Sequence, residues 1–379
     1  MEENPTIKVN YTTVAGEVYR AKLVTMFAAG EVPYDIIWCP TSWLYEFADN
    51  GWIIPVEKYI PSKIWDDLAP ITKQTLEYNG HRWGLPWYLA LGFAFMYNRE
   101  MVKKAGIAEP PKTWDEVIEQ CLTVKDKGVC RYPMSFSAMQ DMDTWATFKA
   151  LLKAMGGKFY DDEGNCLYNS DLGVKALQWM VDCIYKYDIL HPTCLETEMH
   201  GAIELLAAGE TCFQLKVYYY MKIANDPTTS KVPGQIETCL MPGPSDKPAQ
   251  GGSLGSSPAW GITKYCKNPD AAYRFLEFLG GPIGNKMWAV ERSLFPAYTS
   301  VAKDPDVVNA IKGADVWGEQ AKYGVFELTK NYNLPEMKYS AELTDFAMVE
   351  VSMALTGVKT AKEALDAVVE KVKELKTKV

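Results

Sequence analysis

The stretch Tyr34-Asp35-Ile36-Ile37-Trp38-Cys39-Pro40-Thr41-Ser42-Trp43-Leu44-Tyr45-Glu46-Phe47-Ala48-Asp49-Asn50-Gly51 decides the reading of the fold. Its apolar run Tyr34–Trp38 follows Pro33 and is short enough for a buried strand. Leu44, Phe47 and Ala48 then share one helical face, and Asn50-Gly51 ends that helix. The same unit stands upstream, where Ile7-Lys8-Val9-Asn10-Tyr11 alternates as a strand does and residues 17–29 place Leu23, Met26 and Phe27 at helical spacing before Gly30. Short strands alternating with helices predict an α/β layer with a mostly parallel sheet, in which ligands lie at the carboxyl ends of strands. The loop Cys39–Trp43 is therefore a candidate ligand rim.

Further along, Trp83–Pro86 and Phe93–Tyr97 read as strands on either side of a Trp87-Tyr88 turn, and Pro110-Pro111 marks a boundary. Thr113 followed by Glu116 predicts a capping box and a helix from Trp114. A helix-rich region follows, with helices expected over 175–187, 201–208 and 216–224, and possible strands at Phe136, Cys212 and Phe213. Pro242–Pro258 has the Pro, Gly and Ser content of a loop. Trp260–Thr263 is strand-like, and Asn268-Pro269 caps and opens a helix over Ala271–Leu279. Thr360 and Glu363 predict a second capping box, ahead of a helix whose Ala361, Leu365, Val368, Val372 and Leu375 share one face.

Composition limits the function classes. The chain has 379 residues, 48% hydrophobic and 23% charged, with a net charge of −9. This is a globular chain of two or three domains. No apolar run is long enough to span a bilayer. Net acidity without a Lys/Arg cluster argues against nucleic-acid binding, which needs clustered positive charge. Nine cysteines leave at least one thiol unpaired, and no close Cys pair of zinc-ribbon or redox type occurs. His191, Cys194 and His200 could meet around an ion, but their spacing fits no standard ligand pattern, so no metal is expected. The start Met1-Glu2-Glu3-Asn4-Pro5 shows no secretion signal, which fits either a cytoplasmic protein or one whose leader was removed before the sequence was recorded.

Hydrolase elbows, metalloprotease helices and phosphate-binding glycine loops are missing from the sequence, and no cofactor is expected. Asp141 and Asp143 are the one carboxylate pair in an interesting place, usable by a glycosidase or equally by a loop and a helix N-cap. The 12 Trp and 22 Tyr stand out more. Sugars lay their C–H faces on aromatic rings while their hydroxyls need polar partners. Trp43, Trp87, Tyr88, Trp145, Tyr219 and Trp260 are the candidate aromatics, each of which could otherwise be a core or surface ring.

The order of short motifs carries a resemblance. Lys22-Leu23 with Phe27-Ala28-Ala29-Gly30, Tyr34-Asp35-Ile36-Ile37, Phe47-Ala48-x-x-Gly51-Trp52, Gly84-Leu85-Pro86, Tyr97-Asn98-Arg99 with Lys103-Lys104-Ala105-Gly106-Ile107, and Pro110–Glu116 follow one another. Gly156-Gly157, Ala208-Gly209-Glu210, Gly251-Gly252, Asn268–Ala272 with Phe275-Leu276 and the terminal helix continue the series. Together they resemble the extracellular solute-binding proteins of ABC importers, in the maltose-binding branch. The resemblance implies an α/β fold of two lobes of the periplasmic-binding-protein type II kind. Each lobe would be a mostly parallel sheet flanked by helices, with the ligand cleft between them and closed by hinge bending. It implies lobes formed by 1–98 with 260–303 and by 99–259 with 304–379. It implies a carbohydrate ligand, an ABC permease as partner, no nucleic acid, a monomer, and an extracytoplasmic place, periplasmic or lipid-anchored, with the signal peptide absent from this sequence. A polyol, an osmolyte or a charged small solute is the alternative ligand within the family.

Carried over residue by residue, the resemblance assigns Thr41, Ser42 and Trp43 to the first loop of the cleft and Trp87 and Tyr88 to a crossing. It assigns Gln140, Asp141 and Trp145 to the second lobe's first loop, Tyr219 to the position after Gly209–Phe213, and Gly252, Ser253 and Trp260 to a Gly-Gly loop. Family members usually carry one more strand and helix ahead of Asn4–Val9, so one β-α unit is missing by comparison.

Overall fold

The computed structural model describes residues 6–14, 16–197, 201–325 and 339–378. Its strands are β1 (Ile36–Cys39), β2 (Glu77–Tyr78), β3 (His81–Arg82), β4 (Leu85–Pro86), β5 (Ala90–Leu91), β6 (Phe93–Asn98), β7 (Met134–Ser135), β8 (Phe213–Val217), β9 (Ile236–Cys239), β10 (Ser253–Ser256), β11 (Ala259–Ile262) and β12 (Gly324–Val325). They build two main sheets, ordered β1-β11-β4 and β7-β8-β6-β9, a small sheet β12-β10-β5, and the hairpin β2-β3.

The first unit forms as its residues dictate. Ile37 and Cys39 of β1 are buried, and Leu44, Phe47 and Ala48 face the same core from the Thr41–Asp49 helix. Gly51 takes the helix out at φ +60, a conformation that costs a residue without Cβ little. Gly84 has a different reason to lack a side chain: a Cβ there would meet the Trp260 carbonyl oxygen at 2.5 Å, where β4 pairs with β11.

Alternating strands and helices predict mostly parallel sheets, and here the structure differs. β1–β11, β11–β4, β6–β8 and β6–β9 pair antiparallel, and β7–β8 and β10–β12 pair parallel. β11 returns from a long excursion through the other sheet and β6 arrives from the first one, so neither is joined to its neighbours by a local βα unit that would set them parallel. Residues 7–11 also depart from expectation. They are irregular rather than a strand, and Tyr11 is 82% exposed. Alternation supplies a strand pattern but not a neighbouring backbone, and β1 is an edge of its sheet.

Two more elements differ from expectation. Lys216 and Val217, expected in a helix, end β8, followed by a tight turn at Tyr218–Tyr220 and a short helix Met221–Ala224. Within the Gly/Ser-rich stretch before Pro258, Ser253–Ser256 is a strand, because the small residues let its backbone pair with both β5 and β12. The expected helices at Trp114–Asp126, Asp171–Tyr185, Gly201–Ala207, Pro269–Gly280 and Ala361–Lys376 are present. The Thr360–Glu363 capping box closes in both directions, whereas Glu116 accepts the Lys112 amide instead of completing its own box.

The chain passes between the two main sheets through the 87–92 stretch and through the residues around Ser257, and the segment 293–297 is hydrogen-bonded to the first of these passages. Leu89 N donates to Phe295 O at 2.8 Å, Phe295 N donates to the Tyr218 hydroxyl at 2.7 Å, and that hydroxyl donates to Leu89 O at 3.3 Å. Tyr218 is 1% exposed and its ring meets Trp317 edge-on at 4.8 Å.

Candidate functional site

The carboxyl end of β1 passes through Pro40 into the Thr41–Asp49 helix, which has no side-chain cap. Aromatic rings converge there. Trp38 lies 5.9 Å from Trp43 and 6.2 Å from Trp87, centroid to centroid, and Trp87 is 5.9 Å from Trp260, 6.0 Å from Trp288 and 5.2 Å from Tyr88. The Trp38 amide donates to the Tyr19 hydroxyl and the hydroxyl donates to the Trp38 carbonyl, both at 3.1 Å, which fixes the end of the strand beneath these rings.

The polar atoms of this wall are unsatisfied. Nε1 of Trp38, Trp87 and Trp260 and Oγ1 of Thr41 are buried and have no hydrogen-bond partner among the described residues. A buried donor left unpaired costs about 1–3 kcal/mol. Half-buried rings with unpaired N–H and O–H groups among them are the kind of lining a small-molecule site uses.

Tyr219, which follows β8 of the second sheet, approaches Tyr88 of this wall. Tyr88 and Tyr219 are both half-buried; burial pushes the hydroxyl pKa of each up, and the nearness of Tyr219 adds to the rise at Tyr88. Tyr219 packs on Tyr220 with centroids 4.6 Å apart and also borders a cavity of about 380 Å³ with Lys222, Asn225, Val290 and Ser293. Asp141 caps the Met142–Ala154 helix, its Oδ1 accepting Thr144 N at 2.8 Å, and burial raises its carboxyl pKa above the usual range. Gln140 beside it is exposed.

The structure thus brings together Thr41, Trp43, Trp87, Tyr88 and Trp260, sets Tyr219 against Tyr88, and leaves Asp141 and Gln140 on the adjoining loop. Ser42 lies in the first turn of its helix. Trp145 is a correction: it is 2% exposed, stacked on Phe148 at 5.3 Å and edge-on to Tyr168 at 4.8 Å, with the Lys149 ammonium over its ring. Its helical spacing with Phe148 turns it into the core. Ser253 is 1% exposed and its hydroxyl donates to Phe93 O at 3.3 Å, and Gly252 packs on Lys153, where a Cβ would come within 3.0 Å. Ser253 opens β10 of the small sheet and Gly252 immediately precedes it, and neither joins the aromatic wall.

The carboxylate pair also resolves differently from its sequence reading. Asp143 is buried against Lys216 and Ser137, so its charge is already partnered, whereas Asp141 is the helix N-cap that the sequence allowed. Around the histidines, His191 accepts Thr193 N on Nδ1 and its Nε2 is 3.9 Å from Glu210, while His200 lies outside the described residues. Among the described residues no cluster of metal-ligating side chains forms.

Sequence reading passed over Trp38, Trp288 and Tyr19. Trp38 was assigned only to a strand, although its position as the last ring before the Cys39–Trp43 rim was a usable signal. Trp288 comes from a Pro282–Arg292 helix that Gly281-Pro282 announces.

Comparison with known proteins places these features in context. The family model described as bacterial extracellular solute-binding protein matches residues 1–286. A probable amino-acid ABC transporter periplasmic-binding protein, y4oP, of Sinorhizobium fredii is 25% identical over 376 residues, covering 94% of this chain and 80% of its own. Among solved structures, maltose-bound MalE3 of T. maritima aligns with a TM-score of 0.83 at 21% identity, over 99% of this chain and 93% of that one. A solute-binding protein of an ABC transporter from Thermotoga lettingae, bound with α-D-tagatose, aligns with a TM-score of 0.79 at 25% identity, over 99% and 93% of the two chains.

Proposed function

Because the chain belongs to the bacterial extracellular solute-binding proteins and has their two-lobed fold, we propose that it is the receptor of an ABC importer. It captures a carbohydrate, closes on it by hinge bending and hands it to the permease. The observation that carries the ligand class is the aromatic wall of Trp38, Trp43, Trp87 and Trp260, in which the indole N–H groups of Trp38, Trp87 and Trp260 have no partner among the described residues. Rings take the C–H faces of a sugar, and the free donors meet oxygens of its hydroxyls or ring. The relatives support the reading, since MalE3 holds maltose and the T. lettingae protein holds α-D-tagatose.

In this reading the lobes are 1–92 with 260–303 and 93–259 with 304–379, each contributing one main sheet; the boundary expected at 98 moves ahead of β6, because β6 pairs with β8 and β9 of the second sheet. The ligand is bound by Thr41, Ser42, Trp43, Trp87, Tyr88 and Trp260 on one side and by Gln140, Asp141 and Tyr219 on the other. The protein works outside the cytoplasm as a monomer and, as a member of a solute-binding family, captures its ligand without reacting with it. The name of the S. fredii relative favours a rival reading, an amino-acid ligand. An amino acid's carboxylate would need a cation beside the ligand, whereas the wall offers aromatic rings and Asp141 suits only its ammonium.

Calorimetric titration with a panel of mono- and oligosaccharides, D-mannitol and the common amino acids decides between them. Saturable binding of a saccharide is the expected result. Binding of an amino acid with no response to any saccharide overturns the carbohydrate reading.

A further inference from the structure

A buried charge lies directly beneath the second side of the cleft. Lys216, on β8, has 0% of its side chain exposed, and Asp143, in the first turn of the Met142–Ala154 helix, 9%. The ammonium pairs with the Asp143 carboxylate and donates to Ser137 Oγ at 2.8 Å, and the Ser137 hydroxyl donates to Asp143 Oδ2 at 3.0 Å. Three segments meet in this knot: a central strand, the loop after β7, and a helix start.

Both cleft-facing stretches of the second sheet grow out of it. Met139–Asp141 is the chain between Ser137 and Asp143, fastened further where the Thr144 hydroxyl donates to Met139 O at 2.6 Å. Tyr218–Tyr220 follows Lys216 along the chain, and the ammonium lies 5.4 Å from the centroid of the Tyr220 ring that packs on Tyr219. Apolar side chains of like volume would hold strand and helix together at least as well, because desolvating two charges offsets most of what their pairing returns. What apolar contacts lack is direction: the ammonium and the carboxylate fix where the loop and the turn sit relative to each other.

We propose that Lys216 is a positioning residue, which through Asp143 and Ser137 holds the Met139–Asp141 loop in register with Tyr219 and so preforms this side of the cleft before ligand arrives. The inference rests on the reading of these stretches as ligand-facing.

The test is the paired substitution Lys216→Met with Asp143→Leu, which removes both charges together, since either alone strands a buried ion. The variant is compared with wild type, ligand-free, by urea unfolding and by amide hydrogen exchange. The expected result is an unfolding midpoint close to that of wild type with amides 138–142 and 218–220 exchanging about tenfold faster or more. A folded variant whose two stretches exchange at the wild-type rate overturns the proposal. If the pair does not fold, Ser137→Ala decides, because it keeps the ions and removes only the bridge. Faster exchange at 138–142 with an unchanged midpoint supports the positioning role, and unchanged exchange overturns it. Exchange is read without ligand, so a protein that binds no saccharide but shows the loosened loops counts against the carbohydrate reading alone.

Discussion

Tyr219 presents a half-buried ring between Tyr220 and Tyr88. Truncating it removes a flat contact worth about 0.5–1.5 kcal/mol beyond area, together with the buried area itself. Tyr219→Ala is expected to weaken saccharide binding roughly ten- to hundredfold by calorimetry, with the unfolding midpoint little changed. Trp145→Ala should behave in the opposite way. The ring fills the core against Phe148 and Tyr168, so urea unfolding should show a loss of about 3–5 kcal/mol. Asp141 offers a pH signature. Its pKa is raised in the folded state by burial, so folding favours its protonated form, and that contribution is complete below the unfolded carboxyl range and lost as pH rises through the folded pKa. Asp141→Asn keeps an N-cap acceptor. The variant should therefore melt higher than wild type at pH 7, with the gain shrinking as pH falls through the carboxylate range; a gain constant with pH contradicts the assignment.

At the level of elements, how far sequence could be read depended on how local each determinant is. The Thr360 capping box was legible because donor and acceptor are three residues apart, and Thr360→Ala should cost about 0.5–2 kcal/mol in chemical denaturation. The Thr41–Asp49 helix and β1 were legible from the apolar spacing alone. β10 was hidden because it is a strand only by virtue of β5 and β12, which lie far from it in the chain. The Lys216 strand was read as helix because a lysine in a central strand makes no sense until Asp143 is seen beside it. The candidate site followed the same rule. Thr41, Trp43, Trp87, Tyr88 and Trp260 were nameable from loop position, whereas Trp145 was misplaced because the packing that decides its direction comes from Tyr168. The link between the sheets makes its own demand: Tyr218→Phe leaves Phe295 N without its acceptor, a loss of about 1–3 kcal/mol in unfolding experiments.

For the whole molecule, closure predicts that the binding saccharide lowers the radius of gyration in solution scattering, and an unchanged radius at saturation contradicts a hinged trap. Ligand that binds only the folded state should also add roughly 2.7 kcal/mol of stability at a hundredfold excess over Kd, seen as a higher melting temperature. The pairing of β1 with β11 has a consequence of a different kind. Ile36 finds its partner only in Ile262, so a ribosome must make about 220 more residues, at some 5–20 per second, before the first sheet has a second strand. Until then the nascent chain carries an apolar strand with nowhere to dock. Its early life is that of an unfolded polypeptide, and contacts so distant in sequence place the finished chain among the slow folders.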